Sequence, residues 1–146
     1  MNLGRVVVAA VVAWVVSIPC GYFVQEVLFK GLLTANAAAF RPEAEMMAKL
    51  PFGIAATLLG FVAFAYIYAK GYDGGSGIVE GIRFGLVAGT LVNAFGIIWF
   101  WVMTPISSTL GVAMLLDGYV EPMLYGAIVG VIYKPAAMPV VRRAAV

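Results

Sequence analysis

The stretch GIVEGIRFGLVAG, residues 77–89, is the most informative part of this sequence. Its glycines recur every four residues, so in a helix Gly77, Gly81, Gly85 and Gly89 share one face, which Asn93 continues. In water each interior glycine costs a helix about 1 kcal/mol relative to alanine. In a lipid bilayer, small residues let two helix backbones approach closely, and weak Cα–H···O contacts add to the dispersion energy. The stretch therefore predicts a membrane helix whose glycine face packs against another helix.

The composition of the whole chain also indicates a membrane protein. Of its 146 residues, 64% are hydrophobic and 11% are charged, and the mean hydropathy is +1.03. Soluble domains carry about 25% charged residues, and a chain of this length cannot bury so much apolar surface in water. The net charge of +2 comes from scattered basic residues, so we expect a lipid bilayer around the chain and no nucleic acid partner.

The chain has few residues that carry chemistry. It contains no histidine and one cysteine, Cys20, which excludes an internal disulfide and the usual ligand sets of zinc, haem and iron–sulfur clusters. We therefore predict no metal and no cofactor. The sequence also lacks a nucleophile–base arrangement, so we predict that the protein is not an enzyme.

Four apolar stretches are long enough to cross a membrane, since about 20 residues of helix span the hydrocarbon core. They are residues 6–29, 51–68, 84–103 and 107–133. They predict an all-α membrane protein, a compact bundle of four transmembrane helices that forms a single domain over residues 1–146. Ser107 or Ser108 is a suitable N-cap for the last helix. Residues 30–50 are predicted to be an external segment, in which Arg41 to Lys49 form a short surface helix with Pro42 in its first turn.

The distribution of basic residues predicts the orientation of the bundle, because Lys and Arg are more frequent in cytoplasmic loops. One side of the four-span topology has six: Arg5, Lys70, Arg83, Lys134, Arg142 and Arg143. The other side has three: Lys30, Arg41 and Lys49. We therefore expect both termini in the cytoplasm and the protein in the cytoplasmic membrane. The tyrosines expected at the inner boundary are Tyr66, Tyr68, Tyr72 and Tyr133.

Three carboxylates fall within the predicted spans. At 1.5 Å per residue, Glu121 lies about 18 Å and Asp117 about 24 Å from Tyr133, and Glu26 lies about 30 Å from Val6. All three are thus expected in the outer half of the membrane. Asp117 and Glu121 stand one helical turn apart, and two ionised carboxylates there would repel each other. A cation, a basic partner or protonation must relieve them, so they are candidates for a functional site.

A structural role for these acids stays open as the alternative. Asp117 and Gly118 could break the helix, with Asp117 as the N-cap of a shorter final span and Pro122 in its first turn. Residues 106–116 would then form a separate short or re-entrant segment. The basic partners available to the acids in that case are Lys30, Arg41 and Lys49.

The partner of the glycine face is predicted from a second pair of small residues. Gly126 and Gly130 also stand four residues apart, and the connection between the third and fourth spans is short. We therefore expect the fourth span of the same chain to pack there, with self-association as the rival. Asn93 is expected to form a hydrogen bond between helices.

The segments YAKGYDG (residues 68–74) and EGIRFG (residues 80–85) resemble a stretch of small uncharacterised bacterial four-span integral membrane proteins. The resemblance implies a four-span topology and a bacterial source, and it implies no activity. From the residues, the first hypothesis is an accessory or assembly subunit that acts by helix packing, with other membrane subunits or a second copy as partner. The alternative is a proton- or cation-coupled transporter or channel that uses Glu121, Asp117 and Glu26.

Overall fold

The computed structural model describes residues 1–133, and all of the secondary structure in that range is helical. Its α-helices are α1 (Leu3–Phe23), α2 (Lys30–Ala35), α3 (Glu43–Gly71), α4 (Gly77–Val92), α5 (Ile98–Met103) and α6 (Ser108–Tyr133). The π-helical turns Val24–Leu28 and Asn93–Ile97 follow α1 and α4, and a 3₁₀ turn covers Ala37–Ala39. Lys134, Arg142 and Arg143, which contribute to the predicted orientation, lie outside the described residues.

Four continuous helical stretches are long and apolar enough to cross a membrane, which confirms the predicted number of spans. They are Leu3–Leu28, Glu43–Gly71, Gly77–Met103 and Ser108–Tyr133. The connection 72–76 and the start of α1 lie at one end of the bundle, which we call the 72–76 end. The turn 104–107 lies at the opposite end, the 104–107 end.

Local hydrogen bonds explain where two of these helices begin. The side chain of Asn2 accepts a hydrogen bond from the backbone N–H of Arg5 and caps α1. The hydroxyl of Ser107 accepts one from Leu110 N–H at 3.3 Å, so Ser107 caps α6 as predicted. In the 72–76 connection Gly74 has φ +94°, a left-handed conformation that favours glycine.

The hydrophobic core lies in the half of the bundle next to the 72–76 end. There α1 contributes small side chains, among them Ala9, Ala10 and Ala13, which let it pack closely against α3 and α6. Burial in α1 ends at Ala13, and burial in α3 begins only at Ala65. The bundle is therefore tightly packed at this end, while α1 and α3 are more exposed towards the 104–107 end.

Two predicted boundaries differ from the structure. The expected surface helix from Arg41 to Lys49 is not a separate element, because residues from Glu43 onward form the first turns of α3, which continues through Pro51. The alternative in which the chain breaks at Asp117 and Gly118 is also wrong. Residues Ser108–Tyr133 form one helix that contains both these residues and Pro122. A proline is tolerated inside a membrane helix because neighbouring groups can satisfy the freed carbonyl.

The tyrosines expected at the membrane boundary fall into two groups. Tyr68, Tyr72 and Tyr133 form a triangle with ring centroids 5.8–6.0 Å apart. Tyr68 and Tyr133 are only 3% and 4% exposed, so their rings pack between helices instead of facing outward. Tyr66, in contrast, is exposed, and the Nζ atom of Lys70 lies over its ring.

Candidate functional site

The closest helix contact in the described part of the chain joins α4 to α6. A Cβ atom added to any of the four glycines of α4 would collide with a backbone carbonyl oxygen of α6. The colliding pairs are Gly77 with Gly130, Gly81 with Gly126, Gly85 with Pro122, and Gly89 with Gly118. The contact therefore leaves no room for a side chain at these positions of α4.

The contact is reciprocal at the end nearest to the 72–76 connection. A Cβ added to Gly126 would meet the carbonyl oxygen of Gly81, and one added to Gly130 would meet that of Gly77. A Cα hydrogen in the direction of the missing Cβ points at this oxygen, which is the geometry of a Cα–H···O contact. Gly118 and Pro122, which the sequence pattern did not assign to this contact, extend it towards the middle of the bundle.

Asn93 is the first residue of the π-helical turn in the third span, and it lies at the end of the contact between α4 and α6. Its side chain is 2% exposed, and Nδ2 donates a hydrogen bond to the carbonyl of Leu115 at 3.2 Å. Its Oδ1 has no hydrogen-bond partner within residues 1–133 and faces the position that a Cβ on Gly118 would take. Asn93 therefore links the third span to α6, and Gly118 must be small to admit its side chain.

The second feature is an acid pair, Asp117 and Glu121, one turn apart near the middle of α6. Both residues are half-buried. The hydroxyl of Tyr125, one further turn along, donates a hydrogen bond to Glu121 Oε1 at 3.0 Å. Within residues 1–133, no Lys or Arg nitrogen lies within 4.0 Å of either carboxylate. The pair therefore sits inside an apolar helix without a basic partner from the described chain.

The third candidate acid, Glu26, is not part of this pair. It lies in the π-helical turn Val24–Leu28 and forms an ion pair with Lys30 at 3.8 Å, with both side chains exposed. Arg41 likewise pairs with Glu45, at 3.3 Å. The prediction that Lys30, Arg41 or Lys49 serves Asp117 and Glu121 is therefore wrong. Lys30 and Arg41 are each paired with a carboxylate four residues away, and Lys49 forms no ion pair with either acid within residues 1–133.

A lateral groove lies beside the acid pair, and the sequence analysis did not predict it. Its volume is about 250 Å³, and residues of α3, α4 and α6 line it. Its apolar lining includes Phe61 and Phe64 of α3, Val92 of α4, and Pro122 and Tyr125 of α6. The rings of Phe61 and Tyr125 meet edge to face at 5.1 Å. Because the Tyr125 hydroxyl reaches Glu121, the groove wall is one hydrogen bond away from the acid pair.

Comparisons of the chain with protein families, with curated proteins and with solved structures give no match. The ground for a functional proposal is therefore the site itself. It consists of the acid pair, the buried amide of Asn93 and the lateral groove, all supported by α6.

Proposed function

We propose that this protein is a non-enzymatic subunit of a membrane assembly and that it binds its partner by helix packing. The observation that carries the proposal is the acid pair, Asp117 and Glu121, half-buried in α6 without a Lys or Arg partner within residues 1–133. A charged side chain inside a membrane is costly and is usually paired. A Lys or Arg in a transmembrane helix of the partner would supply the missing charge.

The lateral groove supports the same proposal. It is lined by residues of α3, α4 and α6, and its lining is mostly apolar, as a surface that receives a helix should be. A helix seated there would lie against Tyr125, whose hydroxyl is bonded to Glu121. Apolar contact with the groove and a charge pair with the acids would then act together.

The partner is expected to be a different protein rather than a second copy. The apolar middles of the four spans contain no Lys or Arg, and Lys49 and Arg83 stand close to span ends. A second copy therefore brings no cation to the depth of Glu121. This favours a heteromeric assembly over the self-association that the glycine spacing also allowed.

The test is isolation of the protein from its native membranes in a mild detergent, followed by measurement of the particle mass by light scattering. We expect the protein mass of the particle, without its bound detergent, to exceed that of the 15.5 kDa chain. A second protein should be present in fixed ratio and should have a Lys or Arg within a transmembrane segment. The Asp117→Asn/Glu121→Gln double variant should lose this protein, whereas Glu43→Gln, which changes an exposed carboxylate, should keep it. A lone monomer, or a partner that the double variant retains, would contradict the proposal.

We further propose that the protein lies in a bacterial cytoplasmic membrane with both termini in the cytoplasm. Arg5, Lys70 and Arg83 near the 72–76 end support this orientation, and the resemblance of residues 68–85 supports a bacterial source. A membrane-impermeant maleimide should label a variant of the exposed Ala38, Ala38→Cys, in spheroplasts, and a Ser76→Cys variant only after lysis. Both variants would carry Cys20→Ala, and the opposite labelling pattern would overturn the orientation.

A second candidate function is proton- or cation-coupled transport, which the short distance along α6 between Asp117 and Glu121 favours. A proton or a metal cation could neutralise the pair in place of a partner's Lys or Arg. The purified protein in liposomes should then show a pH- or cation-dependent flux that Glu121→Gln abolishes. Glu26→Gln, which changes an exposed carboxylate paired with Lys30, should leave the flux unchanged. No flux, or a flux that Glu121→Gln leaves unchanged, rules this function out.

A further inference from the structure

A second cavity lies at the 104–107 end of the bundle, away from the acid pair. Its volume is about 550 Å³, and it is bounded by residues 39–41, by the start of α3 and by the last turns of the third span. The residues that line it are Ala39, Phe40, Arg41, Met46, Phe100 and Thr104. The cavity therefore combines one cation and one hydroxyl with an apolar wall.

We propose that this cavity binds a phospholipid whose headgroup carries a phosphate and a primary ammonium, as in phosphatidylethanolamine. In this arrangement Arg41 binds the phosphate, Glu45 accepts hydrogen bonds from the ammonium, and the start of an acyl chain lies against Phe40 and Phe100. The site is independent of any protein partner.

The depth of the cavity fits a lipid headgroup. The second membrane-crossing stretch begins at Glu43 and the third ends at Met103, so the cavity lies where the apolar part of the bundle stops. Phospholipid headgroups occupy this level of a bilayer, and their acyl chains begin just below it. An amphipathic cavity at this depth is in direct contact with lipid.

The charges on the rim match a zwitterion. Arg41 Nη1 donates to Glu45 Oε2 at 3.3 Å, and both side chains are more than half exposed, so water and ligands can reach them. Glu45 is the one hydrogen-bond partner of the guanidinium within residues 1–133, and the planar fork has further N–H donors for a phosphate. An anionic lipid would satisfy Arg41 and leave Glu45 facing a like charge. A quaternary ammonium has no N–H to donate to Glu45.

The apolar wall is formed in advance of binding. The rings of Phe40 and Phe100 stack with centroids 6.2 Å apart. The segment that carries Phe40 is held to the 104–107 turn by Asn36, whose Oδ1 accepts a hydrogen bond from Ser107 N–H at 2.6 Å. Asn36 Nδ2 also donates to the Ser107 hydroxyl at 3.2 Å. A wall that needs no ordering on binding favours affinity.

The experiment measures lipid binding to delipidated protein by native mass spectrometry, with phosphatidylethanolamine, phosphatidylcholine and phosphatidylglycerol of the same acyl chains. We expect phosphatidylethanolamine to bind most tightly. Arg41→Ala should weaken it about tenfold, the effect of losing one charge-assisted hydrogen bond, and Arg41→Lys should weaken it less. Lys49→Ala, which removes the same charge from an exposed site of α3 outside the cavity, should bind as the wild type does.

A second variant tests the role of the carboxylate. Glu45→Gln should remove the preference for phosphatidylethanolamine over phosphatidylglycerol, because the like charge that excludes the anionic lipid is gone. Equal binding of the three lipids to the wild type would overturn the proposal, and this comparison needs no variant. So would equal losses in Arg41→Ala and Lys49→Ala. Displacement of the lipid by millimolar inorganic phosphate would indicate a simple anion site and would also overturn it.

Discussion

A single added methyl group at Gly81 should destabilise the bundle. In Gly81→Ala the new Cβ would collide with the carbonyl oxygen of Gly126, which belongs to a helix backbone and cannot rotate away. Overpacking of this kind costs about 1–3 kcal/mol, and a rigid obstacle favours the upper end of that range. The higher helix propensity of alanine returns about 1 kcal/mol. We therefore expect a net loss of about 2 kcal/mol in the free energy of unfolding.

The matched control is Gly53→Ala in α3, where an added Cβ has nothing within 4 Å. There the propensity gain acts without a collision, so this variant should be as stable as the wild type or up to about 1 kcal/mol more stable. Reversible unfolding in mixed detergent micelles, followed by far-UV circular dichroism, measures both. A Gly81→Ala protein as stable as Gly53→Ala would refute the assignment of this contact to direct backbone packing.

The double variant Gly81→Ala/Gly126→Ala tests whether the two collisions share one cause. Each added Cβ meets the carbonyl oxygen of the other residue, so one outward shift of α4 from α6 accommodates both. The combined loss should therefore fall short of the sum of the single losses by about 1 kcal/mol. Strictly additive losses would show that the structure adjusts separately at the two positions.

Two further substitutions follow from the same contacts. Gly118→Ala should cost less than Gly81→Ala, about 1 kcal/mol, because its Cβ meets the side chains of Asn93 and Ile97, which can shift, rather than a backbone carbonyl. In an Asn93→Ala background the added cost of Gly118→Ala should fall, because only the contact with Ile97 remains, and an unchanged cost there would contradict this. Tyr68→Phe loses the hydrogen bond that the Tyr68 hydroxyl donates to Gly77 O at 3.2 Å. The free energy of unfolding, measured in the same assay, should fall by about 1 kcal/mol. A variant as stable as the wild type would show that this bond contributes nothing.

Short-range sequence patterns were sufficient to predict the number of long helices. The apolar runs predicted four spans, and the structure has four helices of sufficient length and hydropathy, although α3 begins at Glu43 rather than at Pro51. The start of α3 was missed because its first turns carry the charged residues Glu43, Glu45 and Lys49, which were assigned to a separate surface helix before the apolar run. The cap at Ser107 was predictable because it involves residues three apart.

The candidate site was predictable only in part. The sequence singles out Asp117 and Glu121, because carboxylates are rare in apolar runs, and their common face follows from helical spacing. The pairs Glu26–Lys30 and Arg41–Glu45 each join residues four apart, so helical spacing alone could have indicated them. The lateral groove could not be predicted from the sequence, because residues of three helices form it.

Tyr68 and Tyr133 show most clearly what the sequence could not predict. A tyrosine near the end of a membrane helix normally marks the boundary with water, yet both rings are buried against each other and against Tyr72. Whether such a ring meets lipid headgroups or another helix depends on how far each helix is rotated about its axis. Residues more than sixty positions apart decide that rotation together.

Hydropathy and helical period are local properties, so the sequence was enough to predict a membrane environment, four spans and a bare helix face formed by Gly77, Gly81, Gly85 and Gly89. What this row meets depends on how the helices pack. Its carbonyl partners belong to Gly130, Gly126, Pro122 and Gly118 of α6. Two of these four belong to the small-residue pair that the spacing singles out, and the other two follow from the angle and register at which the helices cross. That same packing leaves the acid pair without a cation from the described chain, and this is the feature from which its function is proposed.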